Sequence, residues 1–152
     1  MNKEIFDIDQ IYIDIEVKNK KEAFKFIAQA FVDSKTSSDL KVCYKGLLDR
    51  EKEGSTGFNE GIAIPHAKIK EITHPKVFVI KFKQGVEWKS IDGSKVNLAI
   101  ALAIPADKVE SDHLKILSSI ARKLIDDDFR NKLNSSKTKE EFFTIVNKVE
   151  II

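Results

Sequence analysis

Three histidines, His66, His74 and His113, and the basic Arg50 are the residues of this chain best suited to carry chemistry, and their settings differ sharply. His66 follows Pro65 in the stretch GIAIPHAKIK (Gly61–Lys70), where the proline ring fixes one backbone torsion and steers Ile64 away from helix, so a stiff backbone presents the imidazole. A plain turn histidine at a strand end is the simpler reading of any Pro-His pair. Two neighbours argue for more. The preceding GSTGFNEG (Gly54–Gly61) holds Ser55, Thr56 and Asn59 among glycines, so that hydroxyls and backbone N–H groups can approach an anion. Arg50, just upstream, offers a planar fork matched to phosphate oxygens; alone, it would read as a solvated arginine paired with Glu51 or Glu53. His113 falls in the first turn of a helix if Ser111 caps it, where the helix dipole disfavours imidazolium and suits a neutral donor. His74, before Pro75 in a polar connection, reads as a loop residue.

Other chemistries lack their signatures. The histidines and Cys43 are not paired at one-turn spacing as a zinc site would have them, so no metal is expected. There is no G-x-S-x-G, Cys43 falls on a buried helix face, and no Walker-type phosphate loop exists, so neither a hydrolase nor a nucleotide site is expected and no cofactor is implied. The net charge of +2 without a basic run gives no reason to expect a nucleic-acid partner. The start, MNKEIFDIDQ, lacks a basic flank and an apolar block, one cysteine suits a reducing compartment, and the longest apolar run, Leu98–Ala106, is too short for a membrane helix; the expectation is a cytoplasmic protein without membrane insertion.

The elements that must position these residues follow from periodicity. At 152 residues the chain is one domain's worth, spanning 1–152, with no repeat or linker. IYIDIEV (Ile11–Val17) alternates as a half-buried strand. Asn19 and Glu22 form a reciprocal N-terminal cap for a helix burying Ala23, Phe24, Ile27, Ala30 and Phe31. A second helix from about Asp39 to Glu53 buries Leu40, Cys43 and Leu47 and leaves Arg50 near its C-terminus. Gly54–Gly61 is then a loop, Ile62–Ile64 a short strand that Pro65 stops, and Val77–Phe82 and Val96–Ile104 are buried strands. Gly85–Trp88 and Asp92–Gly93 read as turns. Three helices close the chain: one after Ser111 with Leu114, Leu117, Ile120, Ala121 and Leu124 inward, a short one over Asp128–Leu133, and one opened by a Thr138–Glu141 capping box. The fold class expected is α/β, a mixed β-sheet flanked by helices on both faces.

LLDREKEGSTGFNEGIAIPHAK (Leu47–Lys68) resembles the phosphorylation-site signature of enzyme IIA of the bacterial phosphoenolpyruvate-dependent sugar phosphotransferase system, fructose/mannitol class. GVEWKSIDGSKVNLAIALAIPA from Gly85 and DHLKILSSIARKLIDDDFRNKL from Asp112 continue the match over nearly the whole chain, and the T-G-F and P-H-A-K details look closer to the fructose branch. The resemblance implies a mixed sheet with helices on both faces. It also implies that the phosphocarrier protein HPr phosphorylates His66 and that a fructose-type enzyme IIB/IIC receives the group. Arg50 then matches the arginine that steadies the phosphoryl group and His113 the second active-site histidine. Thr56, with Arg50, is a candidate for binding the phosphate, and apolar loop residues such as Phe58 for a docking patch around His66. IIA-like domains also serve as regulatory modules whose phosphorylation state controls partner proteins, and that is the alternative.

Overall fold

The computed structural model describes residues 1–106 and 111–152, the side chains of residues 111 and 112 excepted. The elements run β1 (Ile11–Ile15), α1 (Lys20–Asp33), α2 (Leu40–Glu53), β2 (Gly57–Asn59), β3 (Ile62–Ala63), β4 (His66–Ile69), β5 (Lys76–Val86), β6 (Val96–Pro105), α3 (Ser111–Lys123), α4 (Asp127–Ser135) and α5 (Lys139–Asn147). The long β5–β6 antiparallel pair is the spine of one mixed sheet. β1 runs parallel to β5, β3 and β4 run parallel to β6 on its other flank, and β2 is antiparallel to β3.

Period-2 patterning splits β6 cleanly. Ala99, Ala101 and Ala103 face a core built with Phe24, Ile27 and Phe31 of α1, Cys43 and Leu47 of α2, and Trp88. Leu98, Ile100, Leu102 and Ile104 face the other way, onto Ile116, Ile120 and Leu124 of α3, Phe129 and Leu133 of α4, and Phe142 and Val146 of α5. A sheet apolar on both faces must be covered on both, and it is, as the expected fold class requires. The alanine face lets α2 come close. At Gly46 an added Cβ would lie 3.1 Å from Ile69 Cγ2 and 3.2 Å from Ala67 Cβ, so any larger residue there would make β4 give by a few tenths of an ångström. Arg50 lies one turn beyond Gly46 on the same helix face, which carries it along β4 toward His66.

Several expectations are corrected. Pro65 interrupts an edge strand without ending it. Ile62 and Ala63 pair with Leu98 and Ala99, and after a gap of two residues His66 and Ala67 pair with Leu102 and Ala103, in one unbroken register. Proline lacks the N–H but not the carbonyl, which accepts from Leu102 N at 3.0 Å, so the ladder carries on. His66 therefore opens a strand. The expected loop also contains β2, whose edge continues as Ile64 N donates to Thr56 O at 2.9 Å. Gly85 and Val86 belong to β5, and Trp88 is fully buried, not a turn residue at the surface. Leu40 and Leu114 are 41% and 42% exposed; α3 turns Ile116 inward instead of Leu114. Ser111 is the first residue of α3, and the residue that would cap it lies outside the described residues. The Asn19 cap and the Thr138–Glu141 box form, though Glu22 reaches back to Lys18 N and not to Asn19, and Asp39 caps α2, which starts at Leu40.

Candidate functional site

His66 lies at the start of β4 with 9% of its surface exposed. Its Nδ1 is 2.8 Å from Ile64 O. A carbonyl oxygen only accepts, so Nδ1 carries the hydrogen and Nε2 keeps the lone pair. The ring pKa is pushed below the ordinary histidine value, first by burial and also by the nearby Arg50 charge; the Ile64 bond and the Glu51 and Glu53 carboxylates pull the other way. A neutral imidazole with Nε2 as its nucleophilic atom is what this setting favours near pH 7.

Arg50, in the last turn of α2, donates from Nη1 to Gly54 O at 2.8 Å, closing the helix end over the loop. One of its five N–H groups is used there, and its charge reaches the His66 ring. Thr56 is differently employed from its expected role. It is 4% exposed, its hydroxyl donates to Glu51 Oε1 at 2.5 Å, and the same oxygen accepts from Trp88 Nε1 at 3.1 Å. A hydroxyl has one hydrogen, so Thr56 Oγ1 has none left for a phosphoryl oxygen. Sequence reasoning overlooked Glu51 itself, whose carboxylate also takes Thr56 N at 3.1 Å and Lys20 Nζ at 2.8 Å. Lys20 is remote in sequence, so no local pattern announces that pairing. Phe58 is half-buried and packs toward the Leu98 face of the core.

His113 stands in the first turn of α3. It lines a groove with His74, Pro75 and Lys76, next to the start of β5, and His66 is not among the residues lining that groove. His66 pairs with Leu102 from one flank of β6, while Lys76 pairs with Ala103 from the other. The structure thus brings the charges of Arg50 and Glu51 to the His66 ring, links Thr56 to it by way of Ile64, and places His113 in a groove that His74 also lines. Among the described residues no group of three or more His, Cys, Asp or Glu side chains is arranged to hold a metal ion.

A mixed sheet between two helical layers is the fold of phosphotransferase-system IIA domains. The mannitol IIA of Escherichia coli, solved as a complex with phosphorylated enzyme IIB, superposes with a TM-score of 0.75 at 19% identity, covering 93% of this chain and 96% of that one, and so shares the fold. The nitrogen regulatory protein IIA-Ntr of Neisseria meningitidis superposes at 0.85 with 29% identity, covering 94% and 97%. Residues 4–149 match the family model for the phosphoenolpyruvate-dependent sugar phosphotransferase system, EIIA 2, and the chain belongs to that family. Its relatives include a nitrogen regulatory protein of Escherichia coli K12, 34% identical over 137 residues, 90% of this chain and 83% of that protein. They also include the fructose-specific EIIA component of Haloferax volcanii, 32% identical over 136 residues, 90% of this chain and 88% of that one.

Proposed function

We propose that this chain is a phosphoryl carrier in which Nε2 of His66 takes a phosphoryl group from phospho-HPr and gives it to a fructose-type enzyme IIB/IIC during sugar uptake. The observation that carries the reading is the Nδ1–Ile64 O bond, which leaves Nε2 as the nucleophile on a buried, neutral ring. In the transfer, the Nε2 lone pair forms the new N–P bond as the donor's N–P bond breaks, and the donor ring keeps that electron pair and takes up a proton from solvent. The ring nitrogen that gains positive character is offset through Nδ1–H on the Ile64 carbonyl. The transition state is loose and in line, so positioning and charge are what a protein supplies. Arg50 supplies the charge by turning spare N–H groups to the equatorial oxygens. His113, matched by resemblance to the second active-site histidine, donates a hydrogen bond to the phosphoryl group. Neither cofactor nor metal enters the reaction.

The partners named make the cytoplasm the working compartment; among the described residues no helix is long and apolar enough to cross a membrane. A second reading, that the phosphorylation state of this chain regulates other proteins, is favoured by its 34% identity to nitrogen regulatory proteins. Incubation with phosphoenolpyruvate, enzyme I and HPr should give an acid-labile, base-stable phosphate, with phosphorus and nitrogen NMR placing it on Nε2. His66→Ala should abolish labelling and Arg50→Ala should slow it about 100- to 1000-fold, as loss of one charge-stabilising donor does; full labelling of His66→Ala defeats the assignment. Onward transfer to a fructose-type IIB favours uptake, and tight binding of the unphosphorylated chain to a kinase or transcription factor favours regulation.

A further inference from the structure

We propose that Glu51 is the positioning residue of this site, holding the His66 ring in its Nδ1–H form through a hydrogen-bonded chain that runs by way of Thr56 and Ile64. The proposal rests on His66 being the phosphoryl acceptor. Each link is direct. Lys20 Nζ, at the start of α1, binds Glu51 Oε2 at 2.8 Å, and the ammonium also lies 5.7 Å from the Trp88 ring centroid. Glu51 grips Thr56 by its amide at 3.1 Å and by its hydroxyl at 2.5 Å. Thr56 O accepts from Ile64 N at 2.9 Å, and Ile64 O accepts from His66 Nδ1 at 2.8 Å.

The carboxylate is 9% exposed and its lysine 23% exposed. Replacing a buried ion pair by apolar side chains is often neutral or even stabilising, so stability alone is a poor reason for a protein to keep one. Here the pair does something an apolar contact cannot. It fixes the edge residue Thr56 by two directional bonds, and with it the Ile64 backbone whose carbonyl selects the tautomer of His66. Ile64 has little freedom of its own, since Pro65 confines it to extended conformations. Glu51 also acts on the ring through its charge, which favours the protonated imidazole.

Glu51→Gln keeps the shape but sets an NH2 group against Lys20 Nζ or the Thr56 amide, donor facing donor. Nitrogen-15 NMR of the unphosphorylated protein should show His66 predominantly Nδ1–H in the wild type and a mixture of tautomers in Glu51→Gln. Phosphorylation by phospho-HPr should slow about tenfold or more, the usual cost of removing a residue that orients a reacting group through its neighbour. The pH profile of that rate should move to lower pH, because a carboxylate near the ring has gone. Thr56→Val, which loses the hydroxyl bond but keeps the amide bond, should fall between the two and decides the matter if Glu51→Gln does not fold. A wild-type rate in either folded variant overturns the proposal, and so does a slowed rate with the ring still wholly Nδ1–H. If the wild type takes no phosphate on His66, the carrier reading fails, while the tautomer measurement still tests the chain of bonds.

Discussion

An alanine at Gly57 would set its methyl carbon 2.3 Å from Ser90 Oγ, 2.8 Å from Ser90 Cα and 2.9 Å from Ser90 Cβ. Carbon atoms pack best at about 3.5–4.0 Å, so the two backbones must part by roughly 0.7–1 Å. A rotamer change at Ser90 moves Oγ alone and leaves the Cα and Cβ contacts. The displaced segment follows Trp88, whose Nε1 binds Thr56, and itself bonds back through Ile91 N to Gly57 O at 3.3 Å. Overpacking of this kind costs about 1–3 kcal/mol. With an unfolding entropy of about 2.1 cal/mol/K per residue, a chain of 152 residues loses roughly 3–9 °C of Tm for that cost. Trp88, the only tryptophan and fully buried, reports unfolding in urea by its fluorescence. Gly57→Ala should lower the midpoint accordingly. Adding Ser90→Gly removes Oγ and Cβ but not Cα, so it should restore part of the loss, and adding Ser90→Ala should restore less. Ser90 Oγ is buried with no hydrogen-bond partner among the described residues, so Ser90→Ala alone should be neutral or stabilising by up to about 1 kcal/mol. A Gly57→Ala protein within about 0.5 kcal/mol of wild type, or one fully rescued by Ser90→Ala, would refute the close-approach argument.

Two further outcomes follow from local chemistry. Burial lowers the His66 pKa in the folded state, so the unfolded chain binds more protons once pH drops below its ordinary value of about 6.5. Stability should be complete above that pH and decline as pH falls through it toward the folded value; His66→Gln should flatten that part of the pH dependence in urea midpoints measured between pH 8 and pH 5. Thr138 caps α5 in a reciprocal box with Glu141, and Thr138→Ala should cost about 1 kcal/mol in the same assay, with little effect on phosphorylation.

Much of the scaffold is local and was readable. Asn19 and Thr138 cap helices because a short polar side chain satisfies an amide three residues away, a reach wholly within the sequence neighbourhood. The unbroken aliphatic runs of β5 and β6 report burial on both faces wherever the chain runs. Rotation of a helix about its axis is less local: Leu114 and Ile116 are both apolar, and the layer beneath α3 chooses Ile116. The turn after Pro65 was misjudged for a similar reason. Proline's missing N–H is visible in sequence, but whether its carbonyl finds Leu102 depends on where β6 passes.

By itself the sequence determined the chemical types at the site: an imidazole behind a proline, a guanidinium at a helix end, and a glycine-bearing loop between them. Tertiary structure alone decided which of those groups meet. The Thr56 hydroxyl goes to Glu51 and Trp88, and Glu51 to a lysine on another helix. Hydrogen bonds and ion pairs act over a few ångströms of space and are indifferent to separation along the chain, so only the packed sheet and its two helical layers settle their partners.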